Sequence, residues 1–535
     1  MNRIRAALAG VAAGALLASF SQAGGGAEPV ETTADFGYQL VSNVHTTNAG
    51  TMEGASQLAQ ALSGRLFPGV FVPGPSGQMI PNTDLATTQV LPGNQRQVVY
   101  RLAEDAVFSD DTPVTCTDYL LAFRAGKMPE LFGSHMPLFA EVDGLECEPG
   151  SKEFTVVFAE GGGARWRGLF GAGTVVPSHA VARRAGIDTG ELAEVLDSGD
   201  AAQLRPVAEA WRDGFNLDQF DPDMQLSFGP YRIDSVGESG EVTLVANESY
   251  SGDAPRTPRL VVWPASADPQ TLRQEGELRV AEISVPNPEW LDLDAEDNPY
   301  DVASLPGELT DSLTFARAGE WAEKRNREAL AACVDQQAVA DASSQASGVN
   351  VAAHGVHLIA ATDPLTRRFG DIAGPRMGVD VEGARPAEGM ELRVGYAGDA
   401  PRLAAMVDAM RASCEQAGVR VVDAGGNKTL RDVTRVEVDD AGEEVLAEGS
   451  IDALLRPVDP YTEYAGPAPR AQDLPALREQ ERKAWEQLDS LPLAQQPRAF
   501  AVDRNVGNVV VYTGTAGVGW NMDRWQVAEP RSGGS

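Results

Sequence analysis

Read for spacing alone, the hydrophobic positions fall into short alternating runs in the first half of the chain and helical stripes between strands in the second. Residues 38–44 alternate in part and predict a strand running into the polar loop His45-Thr46-Thr47-Asn48. Residues 98–102 and 154–158 predict two more strands. Between them, the turn chemistry of Ser109-Asp110-Asp111-Thr112-Pro113 precedes a helical stretch at 119–124, with Asp118 near its start. Helical pieces with acidic, solvated faces follow across 186–213. Residues 231–233 and 242–245 flank the turn 237–240 and read as a hairpin, and 260–263 reads as a short buried strand.

Between about 270 and 306 the pattern loosens into Pro, Asp and Asn, the composition of a boundary between lobes. Beyond it, Leu392, Val394 and Tyr396 share one strand face. Leu403, Val407, Met410 and Cys414 mark one helix stripe, and Gly418 stands where a C-terminal cap belongs. Val419, Val421 and the pair Leu454-Leu455 supply later strands, an order that favours a mainly parallel sheet with crossover helices. Residues 478–488 read as a helix stopped by Leu491-Pro492-Leu493, residues 508–512 as a strand, and 531–535 as a disordered tail. No internal repeat is evident.

The first residues change the picture. Arg3 and Arg5 precede an uncharged apolar run at 6–18, and Ser21-Gln22-Ala23 has small residues at signal-peptidase spacing, so 1–23 reads as a signal peptide. Leu17-Ala18-Ser19 followed by cysteine would be a lipoprotein signal, but Phe20 stands there. The expectation is an exported, extracytoplasmic protein, in a periplasm-like space or at the cell surface.

With 535 residues the chain is long enough for two or more lobes, and its formal charge of -34 repels phosphate backbones, which argues against nucleic-acid binding. Four cysteines, Cys116, Cys147, Cys333 and Cys414, match neither a zinc site nor a redox pair. Export permits disulfides. Three pairings are possible; the sequential one keeps each bridge within one lobe, and buried free thiols are the alternative.

Catalytic signatures are missing: the chain has no GxSxG elbow, Walker A loop, HExxH or GxGxxG opening a helix. His354 and His357, three apart around Gly355, read as a surface pair rather than a metal site. No catalytic residue, metal or cofactor is expected.

Several segments carry a resemblance to a known family. The run Phe108-Ser109-Asp110-Asp111-Thr112-Pro113-Val114-Thr115-Cys116-Thr117-Asp118-Tyr119 is similar to the (Trp/Phe)-Ser-Asp-Gly-x-Pro-Val-Thr-x-x-Asp segment of family 5 solute-binding proteins, the oligopeptide and dipeptide binders of ABC transporters. It departs at Asp111, where that family has glycine. Gly229-Pro230-Tyr231 with Asn247-Glu248-Ser249-Tyr250, Arg327-Glu328-Ala329-Leu330 with Val334-Asp335, and Leu491-Pro492-Leu493 follow in the family's order. The Phe67-Pro68-Gly69 and 80–85 segments and the aligned cysteines resemble actinobacterial proteins of the LpqW kind, which act in cell-envelope mannolipid assembly.

The resemblance implies an α/β, two-lobed, periplasmic-binding-protein-like fold of the class II or cluster C type, with mixed sheets, crossover helices and a hinged cleft. Residues 24–85, a subdomain at 86–221, 222–285 and the return at 492–535 would form the first lobe, and 286–491 the second. A small peptide or other small molecule would be enclosed between them, with an ABC permease as partner and the chain a monomer. An LpqW-like regulator without a transport role is the alternative.

His45, Thr46 and Asn48 match in position the polar turn that faces the cleft in relatives. The run 452–461 looks like the segment that carries an aspartate for the peptide's α-amino group, but here that position is Arg456, three residues before Asp459-Pro460-Tyr461. An arginine cannot pair with an ammonium group. It holds a carboxylate or phosphate, or pairs with a neighbouring acid. The candidate ligand contacts are thus His45, Thr46, Asn48, Arg456, Asp459 and Tyr461.

Overall fold

The computed structural model describes residues 35–74, 77–398, 400–438 and 444–527. The leader at 1–23, the glycine spacer and the tail at 531–535 lie outside the described residues.

The main framework is a ten-stranded mixed sheet. Across it, in order, run Arg420–Asp423, Glu391–Tyr396, Ala453–Val458, Tyr300–Phe315, Ser490–Asp503, Leu278–Ile283, Gly37–Gln39, Arg259–Trp263, Val242–Ala246 and Tyr231–Val236. The stripe at Leu403 to Cys414 lies on the helix Pro401–Cys414, which crosses between the parallel strands Glu391–Tyr396 and Arg420–Asp423. The sheet is not mainly parallel, however. Ala453–Val458 pairs antiparallel with Tyr300–Phe315, which pairs antiparallel with Ser490–Asp503. A second, four-stranded sheet orders Ala86–Leu91, Gln97–Leu102, Glu153–Phe158 and Val142–Cys147.

Two large cores, with two smaller clusters beside them, flank the central strands and give two lobes. The first buries Tyr38, Phe108, Trp211 and, from the far end of the chain, Phe500 and Trp525. The second buries Leu313, Leu392, Val394, Met406 and Met410. Each such side chain, removed from water, contributes about 1.5–3 kcal/mol to folding.

Three local expectations are corrected. Residues 300–306, read as part of a loose boundary, belong to the 16-residue strand Tyr300–Phe315. Its ladder shifts register just after Pro306, which has no N–H to donate. Leu491-Pro492-Leu493 lies inside the strand Ser490–Asp503; the preceding helix Leu474–Gln487 ends instead at Leu488, which takes a left-handed φ of 50°. Residues 508–512 form no strand: Val509 and Val511 pack on the first core, while only Val506–Gly507 finds a ladder partner, at Gln526–Val527. Alternating hydrophobicity reports burial of alternate side chains, and the ladder needs a neighbouring strand besides.

Both sequential disulfides are formed. Cys116–Cys147 links the helix Cys116–Lys127 to the four-stranded sheet, and Cys333–Cys414 joins the helices Lys324–Cys333 and Pro401–Cys414 at a Cα separation of 4.7 Å.

The recurring sequence segments have structural work. Thr115 and Asp118 form a capping box on the helix Cys116–Lys127. Asp111 sits at φ 65°, the left-handed conformation that glycine takes without strain, and its Oδ1 accepts from Ser249 Oγ at 2.7 Å. A side chain at Gly229 would meet the Arg65 carbonyl at 2.3 Å, while Asn247 Nδ2 donates to the Gly229 carbonyl at 2.9 Å. Buried Arg327 donates to the carbonyls of Leu488 and Gln487, both at 2.8 Å, tying its helix to the end of another.

Candidate functional site

The strand Ala453–Val458 is buried along its whole length, so Arg456, opposite Ser312, enters the interior with only 2% of its surface exposed. A charge so placed needs compensation. The chain supplies it by turning at once: Asp459 caps the single-turn helix Pro460–Glu463, its Oδ1 accepting from the Tyr461 N–H at 2.9 Å and its Oδ2 from Thr462 Oγ1 at 3.2 Å. That turn returns Glu463 to Arg456, whose Nη2 donates to Glu463 Oε1.

His135 completes the cluster. Its Nε2 lies 3.0 Å from Glu463 Oε2 and 3.1 Å from Oε1. Burial alone would raise the Glu463 carboxyl, but the charges of Arg456 and His135 hold it down at about 2. An ionised carboxylate only accepts, so Nε2 carries the proton and donates. The 3.1 Å approach of Arg456 Nη2 to His135 Nε2 is then a contact between donors. His135 follows Phe132 of the first core, whereas Arg456 follows Leu455 of the second, so the triad joins the two lobes.

A second junction lies beside it. Arg165, 1% exposed and next to Trp166 of the first core, donates through Nε to the Pro467 carbonyl (3.0 Å), through Nη1 to those of Pro460 (2.6 Å) and Tyr461 (3.3 Å), and through Nη2 to that of Leu358 (3.0 Å). Burial lowers its pKa. Asp459 is pushed up by burial, against the pull of the Tyr461 N–H. Glu308 is raised to about 7, by burial and then by Asp459, with Arg498 opposing.

Of these groups, His135, Arg456, Asp459 and Glu463 line a solvent-open cavity with walls from both lobes. Phe71, Met136, Phe139 and Phe170 give it an apolar surface, and its ionisable lining is His135, Arg167, Arg456, Asp459 and Glu463. Two further recesses adjoin it. The first shares Leu58 and Pro457 with it, the second His135, Met136 and Pro137.

Of the six candidate contacts, Arg456 and Asp459 line the cavity. Tyr461 turns its ring beneath Arg165, 5.6 Å from the guanidinium carbon. Thr46 and Asn48 are buried outside the lining: Thr46 Oγ1 accepts from the Asn48 N–H at 3.2 Å, and Asn48 Nδ2 donates to the Trp211 carbonyl at 2.9 Å. His45 faces Asp218 at 3.3 Å, and the adjoining Ala49 is the residue of this loop that reaches the cavity. Sequence reasoning missed Glu463, His135 and Arg165. Glu463, seven residues after Arg456 across a helix start, was the acid to test as its partner; nothing local marks the other two.

His354 and His357, read as a surface pair, are both buried. His357 Nδ1 meets Glu481 Oε1 at 2.8 Å, and His354 Nε2 meets the Ile359 carbonyl at 2.8 Å, so each imidazole serves the second lobe's interior.

Residues 81–425 match the family model described as bacterial extracellular solute-binding proteins, family 5 middle. An uncharacterized lipoprotein of Mycobacterium tuberculosis, Rv2585c, is 29% identical over 92% of this chain and 93% of its own. One of Mycobacterium leprae, ML0489, is 28% identical over 91% and 92%. Among solved structures, the oligopeptide-binding protein AppA from Bacillus subtilis, in complex with a nonapeptide, superposes with a TM-score of 0.65 at 13% identity, covering 92% of this chain and 99% of that one. The periplasmic EDTA-binding protein EppA gives 0.62 at 17%, covering 94% and 99%.

Proposed function

Because the chain belongs to family 5 of the bacterial extracellular solute-binding proteins, we propose that it is the extracytoplasmic substrate-binding component of an ABC importer, enclosing a small peptide or peptide-like molecule between its lobes and presenting it to a membrane permease. Proteins of this family bind solutes without transforming them, and this chain is a binding protein rather than an enzyme.

The observation that carries the reading is the solvent-open cleft walled by both lobes and lined by Arg456, Glu463 and His135, beside the Arg165 junction. Closure around such a space removes ligand from water and supplies binding energy. Residues 24–285 and 492–535 make up the first lobe and 286–491 the second. In support, the first core draws on both ends of the described chain and the second on the stretch from Leu313 to Ala494. Arg456 and Asp459 meet the ligand directly, and the His45–Asn48 loop sets the position of Ala49. The relatives' names as lipoproteins support an exported protein, with Phe20 leaving this chain without a lipid anchor at that position.

Mass spectrometry of the purified protein under native conditions tests this. Retained small molecules, and a melting temperature raised by a peptide pool, are expected. Absence of both, with binding to envelope mannolipid instead, would replace the importer with the regulator of cell-envelope assembly.

A further inference from the structure

The helix Met52–Ser56 ends on a left-handed turn: the Ala59 N–H donates to the Gly54 carbonyl at 2.9 Å across Leu58, which takes a φ of 54°. Glycine ordinarily closes a helix at this position, because a Cβ is crowded in that conformation. Here the chain has a leucine. A bulky residue kept in a strained backbone conformation calls for a contact that offsets the strain.

Two other large apolar residues share this conformation, and packing accounts for both. Leu488, at φ 50°, is buried in the second core. Phe170, at φ 53°, is buried in the first, with the ring of Tyr119 edge-on at 5.0 Å. Leu58 differs. It is half-buried and, among the described residues, packs against none of the hydrophobic clusters.

What Leu58 does border is the cleft. Leu58 and Pro457 are the two residues common to the main cavity and to the adjoining recess that includes Ser42 and Arg402. Leu58 comes from the first lobe and Pro457 from the second, so each lobe contributes one apolar residue to the place where the two spaces join. A ligand long enough to occupy both spaces passes these two residues. An apolar group at that point of the ligand would remove Leu58 from water, a gain that a glycine could not provide.

We propose that Leu58 is a specificity-determining residue: with Pro457, its side chain holds an apolar side group of a peptide-like ligand that extends from one recess into the other. The left-handed backbone is stability given up for that contact. The inference rests on the binding-protein reading above and names a residue that carries its selectivity.

The test uses the full mature chain and two pentapeptide pools, one with leucine, valine or phenylalanine between glycines and the other with serine in their place. By titration calorimetry, Leu58→Gly should bind the apolar pool about tenfold more weakly than the parent, with little change for the serine pool. Without peptide, Leu58→Gly should melt no lower than the parent. Leu58→Ala should lose the same affinity and melt below Leu58→Gly, because alanine keeps the crowded Cβ. Leu488→Gly, which removes a core side chain, should melt lower than the parent. Parental affinity of Leu58→Gly for the apolar pool, equal losses for both pools, or a melting temperature clearly below the parent's overturns the proposal. If the parent binds neither pool, native mass spectrometry of the molecule that copurifies with it decides: loss of that molecule from Leu58→Gly supports the proposal, and its retention refutes it. If the parent binds no pool and retains nothing, the binding-protein reading itself fails, and this inference with it.

Discussion

Replacing Arg165 with alanine removes the most heavily used side chain at the lobe junction. Its guanidinium makes four bonds to carbonyls of residues 358, 460, 461 and 467, from a position 1% exposed. Hydrogen bonds with one charged partner are each worth about 1.5–3 kcal/mol. Four at the lower limit give roughly 6 kcal/mol. Releasing the buried arginine back to water returns several kcal/mol of that, leaving a net loss of about 3 kcal/mol. Because the lost bonds join the two lobes, the loss falls on the equilibrium between apposed and separated lobes, shifting it on the order of a hundredfold toward separation. Small-angle X-ray scattering should show a larger radius of gyration for Arg165→Ala, and hydrogen exchange should accelerate at residues 459–467. Arg165→Lys should rescue little, because a point ammonium cannot span four carbonyls placed around a planar fork. Unchanged scattering together with unchanged exchange in 459–467 would refute the reasoning.

Glu463, held at about 2 against an unfolded value near 4.3, stabilises the fold above that unfolded value, by about 3 kcal/mol, and the contribution disappears as pH falls toward 2. Denaturant titrations of Glu463→Gln should show a loss of about that size at pH 7 and a smaller acid dependence between pH 4.5 and 2. Glu308 behaves in the opposite sense. Raised to about 7, it costs stability as pH rises from about 4.3 through 7, so Glu308→Gln should melt higher than the parent at pH 8 and no higher at pH 4; discounted for partial exposure, the gain is about 1 kcal/mol. Removing Cys333–Cys414 by double serine substitution opens a loop of sequence separation 81, an expected loss of about 4–5 kcal/mol in urea unfolding. A loss below about 1 kcal/mol would mean that the bridge hardly restricts the unfolded chain.

The elements that depend on nearest neighbours were legible in the chain. The stripe from Leu403 to Cys414 is a helix ended shortly before Gly418, which takes φ 71°, and the 231–246 hairpin forms around its turn. The family segments were legible too, because their residues solve local problems of capping and close approach. Arg456 could be picked out as unusual. What sequence could not supply was its surroundings.

His135 and Glu463 are 328 residues apart, and Arg165 and Leu358 are 193 apart. Their meeting depends on how two lobes appose. The same limit explains the buried His354 and His357, whose Gly355 and loop-like surroundings suggested a surface pair; the helix Leu474–Gln487 brings Glu481 against His357. Sequence by itself determined most of the local elements, a strongly acidic chain, and the family to which its segments belong. Periodicity, capping and charge act over a few residues or on the whole composition. Only the tertiary structure decided that Arg456 is neutralised rather than free. Compensation of a buried charge is fixed by distances between groups that the fold, and not the order of the chain, brings together.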